Sequence, residues 1–388
     1  MKTKSSSSGA DAGVLKGLIV GGLIGALVVG VAAWLGPLLI ESDLSENRLI
    51  QQLAKAEESL TTWDLLALPI LMLIVLATHE IGHLLGGMSQ GMRFLLLIVG
   101  PFGWHASVSG TRFEWNTNLA LMGGLAAAVP TKAGTELRRQ LLVLVAGGPA
   151  ASLLLAILAV ATASISDPRF AVYSIFIAAT SFGVFLVTLI PVRSGGFMSD
   201  GMQIIDVLKG GDAVAERSAL MRIFAQSLDG VRPRDWDPSA IEELSRMDSE
   251  DPLRATGSAL YLLYRAMDFR NDSDIVRYRK RLEDGIDGYP TGFKQSIYVE
   301  LAICAWLAGD TDTVRQHLKA SKGGVVDKSR KLLAHAALAQ LEGRNDDCKR
   351  DRLQAIKALE KTSDAGLRKL TENQLTLLED GLRTRIIN

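Results

Sequence analysis

Residues 65–92 read LLALPILMLIVLATHEIGHLLGGMSQGM, and this stretch decides the organisation of the chain. It is long and apolar enough to cross a lipid bilayer as a helix. Its only ionisable groups are His79, Glu80 and His83. Ionisable groups at bilayer depth are costly unless they have partners, so they are expected to serve a function. The stretch therefore predicts a membrane helix that carries a polar functional site.

The spacing of these three residues favours a metal site. Residues four apart lie on one face of a helix, so His79 and His83 can bind a single zinc ion. Glu80 is offset by one residue, where its carboxylate can act as general base towards a zinc-bound water. The same pattern also arises by chance in soluble helices. Inside a membrane helix a chance occurrence would be costly, which favours the metal site.

The composition separates two unlike parts of the chain. The 388 residues are 48% hydrophobic with a formal net charge of zero, and the apolar residues concentrate in the first half. This balanced charge gives no support for a nucleic-acid partner. The two cysteines, Cys304 and Cys348, lie far apart, which excludes a disulfide scaffold and a cysteine-rich zinc finger. We interpret both as buried thiols in a reducing compartment.

Four nearly charge-free runs are long enough to span a membrane. They are residues 17–40, 65–88, 141–166 and 170–192. The first is too long for a signal peptide and is interpreted as a retained anchor. Lysine and arginine flank the spans on one side and are sparse between the first and second, which places both termini in the cytoplasm. We expect a multi-pass protein of the bacterial cytoplasmic membrane.

A small β element is predicted between the second and third spans. Residues 104–108 and 111–115 flank a Ser-Gly pair and are typical of a hairpin, and residues 93–99 form a short apolar run before it. The glycines and small residues at 123–129 are interpreted as a loop or a re-entrant turn. His105 lies in the hairpin, where it can be a ligand, a gate or a structural residue.

The C-terminal part is predicted to be soluble and helical from about residue 210. Residues 305–309 (AWLAG) and 339–343 (AQLEG) match at a period of 34 residues. This spacing is typical of tetratricopeptide helical pairs, and an ordinary helical bundle is the alternative. Because such arrays bind peptides, we expect a cytosolic protein partner for this part.

A third metal ligand is expected, because a catalytic zinc usually has three protein ligands and one open position. The candidate is Asp200, in the segment 191–201 (PVRSGGFMSDG) that follows the fourth span. Pro191 and the glycines interrupt the helix there, and Gly201 is expected to let the backbone turn beside the carboxylate. An isolated Asp-Gly pair is also typical of a surface turn.

The order of these features resembles the site-2 protease family of intramembrane zinc metalloproteases, over residues 63–205. HEIGH at 79–83 matches the first motif of that family, AGGP at 146–149 its small-residue stretch, and Asp200-Gly201 its Asp-Gly motif. Two positions depart from the family pattern: Thr188 and Ser152 stand where asparagine is usual. The segment from Pro191 to Asp200 is also longer than usual.

The resemblance implies hydrolysis of peptide bonds in a membrane-embedded protein, such as a single-pass anti-sigma-like substrate. Glu80 would be the catalytic residue, and His79, His83 and Asp200 would hold one Zn²⁺. The substrate would unwind and add as a strand to the edge of the 93–115 hairpin. The alternatives are a proteolytically inactive zinc-binding scaffold whose helical repeats recruit partners, a metal transporter, and an adaptor with a membrane anchor.

The predicted fold is mainly α: a polytopic membrane domain of about four spans with a small β-hairpin element, followed by a soluble α-helical repeat-like domain. The predicted divisions are a disordered N-terminus (1–13), an anchor span with an acidic extracytoplasmic loop (14–62), the metalloprotease core (63–208) and the cytosolic tetratricopeptide-like domain (209–388).

Overall fold

The computed structural model describes residues 61–107, 110–117, 119–131, 137–194, 197–246, 252–290, 292–362 and 364–387. The predicted disordered N-terminus and the first predicted span lie outside these residues, as does nearly all of the acidic loop. Within the described part, the chain is mainly helical, with a four-stranded sheet and a two-stranded hairpin.

Three described helices are long and apolar enough to cross a membrane. They are α1 (Ala67–Ser89), α2 (Leu137–Ala163) and α3 (Pro168–Leu189), and they coincide with the predicted second, third and fourth spans. At 1.5 Å per residue each is roughly 33–40 Å long, which matches the thickness of a bilayer. A tight turn joins α2 to α3, and Asp167 caps α3 by accepting a hydrogen bond from the Phe170 N–H, 3.3 Å away.

The sheet lies between α1 and α2 in the chain and is antiparallel throughout. Its strands run in the order β3-β2-β1-β4. They are β1 (Met92–Val99), β2 (Phe102–Ser107), β3 (Gly110–Trp115) and β4 (Leu125–Pro130). The predicted hairpin is confirmed as β2 and β3, and the apolar run before it is β1.

The expectation of a loop or re-entrant turn at 123–129 was wrong, because most of this segment is strand β4. Ala126, Ala127 and Ala128 pair with β1 through Leu97, Leu96 and Phe94. Alanine has low β propensity, so the strand depends on pairing with β1 rather than on its own residues. As a result, β1 is an internal strand, and β3 and β4 form the two edges of the sheet.

The helix is interrupted after α3, as predicted. The chain then forms the short hairpin of β5 (Arg193–Ser194) and β6 (Phe197–Met198) before α4 (Asp200–Lys209). Gly201 does not turn the backbone, which corrects our expectation, since it lies in the first turn of α4. The glycine instead allows α4 to approach the end of α3 closely, because a Cβ at Gly201 would lie 1.9 Å from the carbonyl oxygen of Leu189. The α4 N-terminus is thereby held against the end of α3.

The rest of the described chain is a set of helices. Their bounds are α5 (Asp212–Leu228), α6 (Pro238–Arg246), α7 (Pro252–Phe269), α8 (Asp272–Gly285), α9 (Lys294–Leu307), α10 (Thr311–Ala320), α11 (Lys328–Leu341), α12 (Asn345–Leu359) and α13 (Ala365–Ile387). Arg93 of β1 joins them to the sheet by donating to Asp229 Oδ1 (2.7 Å) and to the Ala225 carbonyl (3.0 Å) at the end of α5.

Helices α7/α8, α9/α10 and α11/α12 form three hairpins with the same turn. In each, two consecutive turn residues donate backbone hydrogen bonds to carbonyls three and five residues earlier, at 2.8–3.2 Å. The predicted glycines stand at two of these turns: Gly309 and Gly343 have φ of 75° and 74°. Paired helices with glycine turns are thus present, while the tetratricopeptide assignment stays a prediction.

The last helix, α13, forms hydrogen bonds with earlier parts of the helical region. Its Leu378 carbonyl accepts from Gln340 Nε2 of α11 (3.0 Å), and its Lys369 Nζ donates to the Gly230 carbonyl after α5 (2.7 Å). The helix therefore bonds both to α11 and to the segment that follows α5. Cys304 and Cys348 are buried in the core, as interpreted from the sequence, and burial raises the pKa of the Cys304 thiol to about 12.

Candidate metal centre

His79 and His83 project from the face of α1 that packs against α2. Their Nε2 atoms lie 3.2 Å apart, and their rings meet edge to face. Glycines allow this close packing, because a Cβ at Gly148 of α2 would lie 2.3 Å from His83 Nε2. The i, i+4 spacing thus places both imidazoles side by side against the small-residue stretch of α2, as the sequence predicts.

Asp200 reaches the two histidines from the N-terminus of α4. Its Oδ2 lies 3.2 Å from His79 Nε2 and its Oδ1 3.5 Å from His83 Nε2. Ser199 caps α4 and ties it to the end of α3, since its hydroxyl accepts from the Met202 N–H (3.3 Å) and donates to the Ile190 carbonyl (2.6 Å). The structure therefore brings together all three predicted ligands from distant parts of the chain.

The donor set fits a tetrahedral zinc ion. Ligand atoms bound at about 2.0–2.1 Å in a tetrahedron lie about 3.3 Å apart. The two Nε2 atoms lie 3.2 Å apart, and the shortest distances to Asp200 are 3.2 Å from His79 to Oδ2 and 3.5 Å from His83 to Oδ1. In addition, Asp200 Oδ2 is buried without a well-aligned hydrogen bond from the described residues. Two imidazole nitrogens and a carboxylate oxygen are ordinary zinc ligands, so the residues present suit this metal.

The state of the Asp200 carboxyl agrees with a ligand role. Burial on its own would raise its pKa, but the neighbouring His79 and His83 outweigh burial and lower the pKa to about 2. The carboxyl is therefore an anion at neutral pH, the form that binds a metal.

The other nitrogen of each imidazole has a partner on α2. His83 Nδ1 lies 2.9 Å from the Leu144 carbonyl oxygen, so Nδ1 carries a proton, and in the neutral imidazole Nε2 keeps its lone pair. His79 Nδ1 lies 2.9 Å from Ser152 Oγ. Such outer contacts orient metal-binding imidazoles. The sequence pointed to Ser152 only as a departure from a family pattern, and its contact with His79 was not foreseen.

Glu80 lies beside strand β4. The backbone N–H of Ala126 donates to its carboxylate, and a Cβ at Gly124 would lie 2.4 Å from its Oε1. The glycine therefore leaves the space that the Glu80 side chain fills. Among the described strands β4 pairs with β1 alone, so one of its edges is open, and the Ala126 N–H that donates to Glu80 belongs to this strand.

Two further residues raised by the sequence do not belong to this group. Thr188 Oγ1 is 3.4 Å from the Phe185 carbonyl within α3. His105 lies on the β2–β3 hairpin, 3.9 Å from Glu114 Oε2, and burial together with Arg112 lowers its pKa. Among the described residues, the group of side chains that could bind a metal ion is His79, His83 and Asp200.

Comparisons with known proteins agree with this centre. The model of peptidase family M50 matches residues 67–367, more than three quarters of the chain and well beyond residues 63–205. No curated protein and no solved structure matches the chain. The M50 family consists of membrane-embedded metallopeptidases whose metal is usually zinc, in line with the three apolar helices and the His-His-Asp group. The chain belongs to peptidase family M50.

Proposed function

We propose that the protein is an intramembrane zinc metalloprotease that hydrolyses peptide bonds of membrane-embedded protein substrates. His79, His83 and Asp200 would hold the zinc, and Glu80 would be the catalytic residue. The observation that carries this proposal is that the three ligand atoms lie within 4.8 Å of one another, although Asp200 is separated from the histidines by two apolar helices.

The side chains have separate tasks in this proposal. Bound zinc would polarise the scissile carbonyl and lower the pKa of its water towards neutrality. Glu80 takes the proton of the attacking water and delivers it to the leaving amine. The Leu144 carbonyl holds His83 in the tautomer whose Nε2 is free to bind, and Ser152 orients His79.

The free edge of β4 is the best-supported place for the substrate backbone. A segment cleaved at bilayer depth must unwind, and its exposed amides then need hydrogen-bond partners. Pairing with β4 would supply them and would place the segment beside Glu80. The sequence suggested the edge of residues 93–115 instead, but β1 has neighbours on both sides, and the remaining edge there, β3, is separated from β4 by two strands.

The direct test compares zinc content and proteolysis in the purified full chain and two variants. We expect wild type to hold one zinc and to cleave members of a panel of single-pass substrates, Glu80→Gln to keep the zinc without cleaving, and Asp200→Ala to lose the zinc. Wild type that holds zinc but cleaves no substrate would favour the inactive scaffold. Wild type without zinc would refute the metal site.

Substrate binding at the free edge of β4 can be tested separately. Ala128→Pro removes a backbone donor from β4, whereas Thr111→Pro makes the same change on β3 at the far edge. We expect Ala128→Pro to slow cleavage at unchanged zinc content, and Thr111→Pro to leave the cleavage rate near that of wild type. Equal rates for both variants would exclude β4 as the substrate strand.

The proposal includes an orientation with both termini in the cytoplasm of a bacterium and a division between the core and the helical domain near residue 208. Its support is the bias of lysine and arginine towards one side of the predicted spans. Reporter fusions at residue 388 and within residues 41–60 test it, because a cytoplasmic reporter should be active at the first site and inactive at the second.

A further inference from the structure

The turn between α7 and α8 differs from its two counterparts in one residue that the fold does not require. Arg270 occupies the left-handed position with φ of 55°, where the α9/α10 and α11/α12 turns have Gly309 and Gly343. This conformation is unfavourable for a residue with a Cβ. Because glycine makes the same turn twice in this chain, the arginine side chain needs another explanation.

A cavity of about 480 Å³ opens beside this turn. Its lining combines apolar, cationic and acidic side chains from α6, α7 and α8. The lining residues that bear on a ligand are Leu262, Arg265, Ala266, Phe269, Arg270 and Asp274. We refer to it as the α7–α8 pocket.

Arg265 is the second unusual residue of the α7–α8 pocket. Its counterparts in the other two hairpins are Cys304 and Leu338, both apolar. Its guanidinium carbon lies 4.8 Å from the centre of the Phe269 ring, and its Nε is buried without a hydrogen-bond acceptor. A buried donor without an acceptor costs free energy, so a ligand that supplies an acceptor would bind favourably.

The charges of the α7–α8 pocket are not balanced internally. Among the residues that the structure describes, Arg265 and Arg270 have no carboxylate in an ion pair. The nearby Arg234 also lies over Phe269, at 5.9 Å, but it donates to Asp268. Two guanidinium groups beside an exposed aromatic ring can bind a carboxylate while the apolar lining covers a neighbouring side chain.

We propose that the α7–α8 pocket binds a peptide segment that carries a carboxylate next to an apolar side chain. The carboxylate pairs with Arg265 and Arg270, and the apolar side chain lies on Leu262, Ala266 and Phe269. Asp274 favours a peptide over a lipid phosphate, because its carboxylate can accept a peptide N–H, a donor that a phosphodiester lacks. The pocket is built entirely from α6, α7 and α8, so this proposal does not depend on the metal centre.

The test measures binding of labelled peptide pools to the full chain in neutral detergent by fluorescence anisotropy. Each pool is a randomised heptapeptide with a fixed central pair: Glu-Leu amidated at its C-terminus, Gln-Leu amidated, or Gln-Leu with a free C-terminal carboxylate. We expect wild type to bind at least one carboxylate pool about tenfold more tightly than the amidated Gln-Leu pool. The carboxylate pool that binds more tightly shows whether the pocket recognises a glutamate side chain or a C-terminal carboxylate.

Arg270→Gly is the decisive variant, because glycine suits the left-handed turn and should leave thermal stability equal to or above that of wild type. We expect it to reduce the tenfold preference to twofold or less. Lys280→Ala, which removes one exposed charge from α8 outside the pocket, should keep the preference.

Three results would overturn the proposal. They are equal binding of all pools to wild type, an unchanged preference in Arg270→Gly, and an equal loss in Lys280→Ala. Displacement of the bound pool by short-chain phosphatidylglycerol, but not by an unlabelled Glu-Leu peptide, would assign the pocket to lipid instead.

Discussion

Gly82 of α1 and Gly147 of α2 face each other with no room for a side chain on either. A Cβ at Gly82 would lie 2.4 Å from the Gly147 carbonyl oxygen, and a Cβ at Gly147 would lie 2.2 Å from the Gly82 carbonyl oxygen. The glycine inside the HEIGH segment is therefore a packing requirement. It lets α1 approach the helix that supplies the outer contacts of both imidazoles.

Gly82→Ala should destabilise the membrane helices, because the clash is with backbone that cannot rotate away. We expect a loss of about 1–3 kcal/mol or more, the usual cost of overpacking. The measurement is the thermal unfolding midpoint of the full chain in detergent. Gly123→Ala is the matched control, since no atom lies within 4 Å of its added Cβ. Equal midpoints for the two variants would contradict the close packing of α1 on α2.

Gly148→Ala should act on the metal rather than on the fold. The added Cβ would lie 2.3 Å from His83 Nε2, so the imidazole has to move out of its position. We expect at least a tenfold loss of zinc affinity, measured by competition with a chelating dye. Ala150→Ser, on an exposed position of the same helix, should bind zinc like wild type. Stoichiometric, tight zinc in Gly148→Ala would show that His83 is not a ligand.

The parts of this structure that the sequence predicts are those with a local signal. The three described spans follow from charge-free runs, the β2–β3 hairpin from its turn residues, and the approach of Asp200 from a resemblance that covers both motifs. Strand β4 was missed because alanines carry no strand signal without their partner β1. The contact between His79 and Ser152 joins residues 73 positions apart, and no local pattern encodes such a contact.

Ser152→Ala should weaken metal binding by removing the partner of His79 Nδ1. Outer contacts of this kind are worth about 10–100-fold in metal affinity. Ser181→Ala is a close control: its hydroxyl is equally buried and donates to the Ser152 carbonyl (2.8 Å), but it does not contact the imidazole. We expect Ser181→Ala to keep the zinc affinity of wild type. If both variants bind zinc equally well, Ser152 does not position His79.

Arg330 forms the central polar contact of the helical region. It pairs with Glu300 of α9 through both carboxylate oxygens, and it donates to Thr371 (3.2 Å) and Gln374 of α13. The side chains of Arg330 and Glu300 are only 3% and 4% exposed. One arginine on α11 thus links α9 to α13, the last helix.

Arg330→Met should release α13, because it leaves the Glu300 carboxylate buried without its cation. Breaking such a pair costs about 3–5 kcal/mol, whereas replacing both partners by apolar residues is often neutral. We therefore expect faster amide hydrogen exchange in α9, α11 and α13 for Arg330→Met, and recovery when Glu300→Leu is added. Arg315→Met, which removes a half-exposed arginine paired with Glu342, should change exchange little, since exposed pairs contribute about 0–1 kcal/mol. Exchange in Arg330→Met as slow as in Arg315→Met would mean that apolar packing alone holds α13 in place.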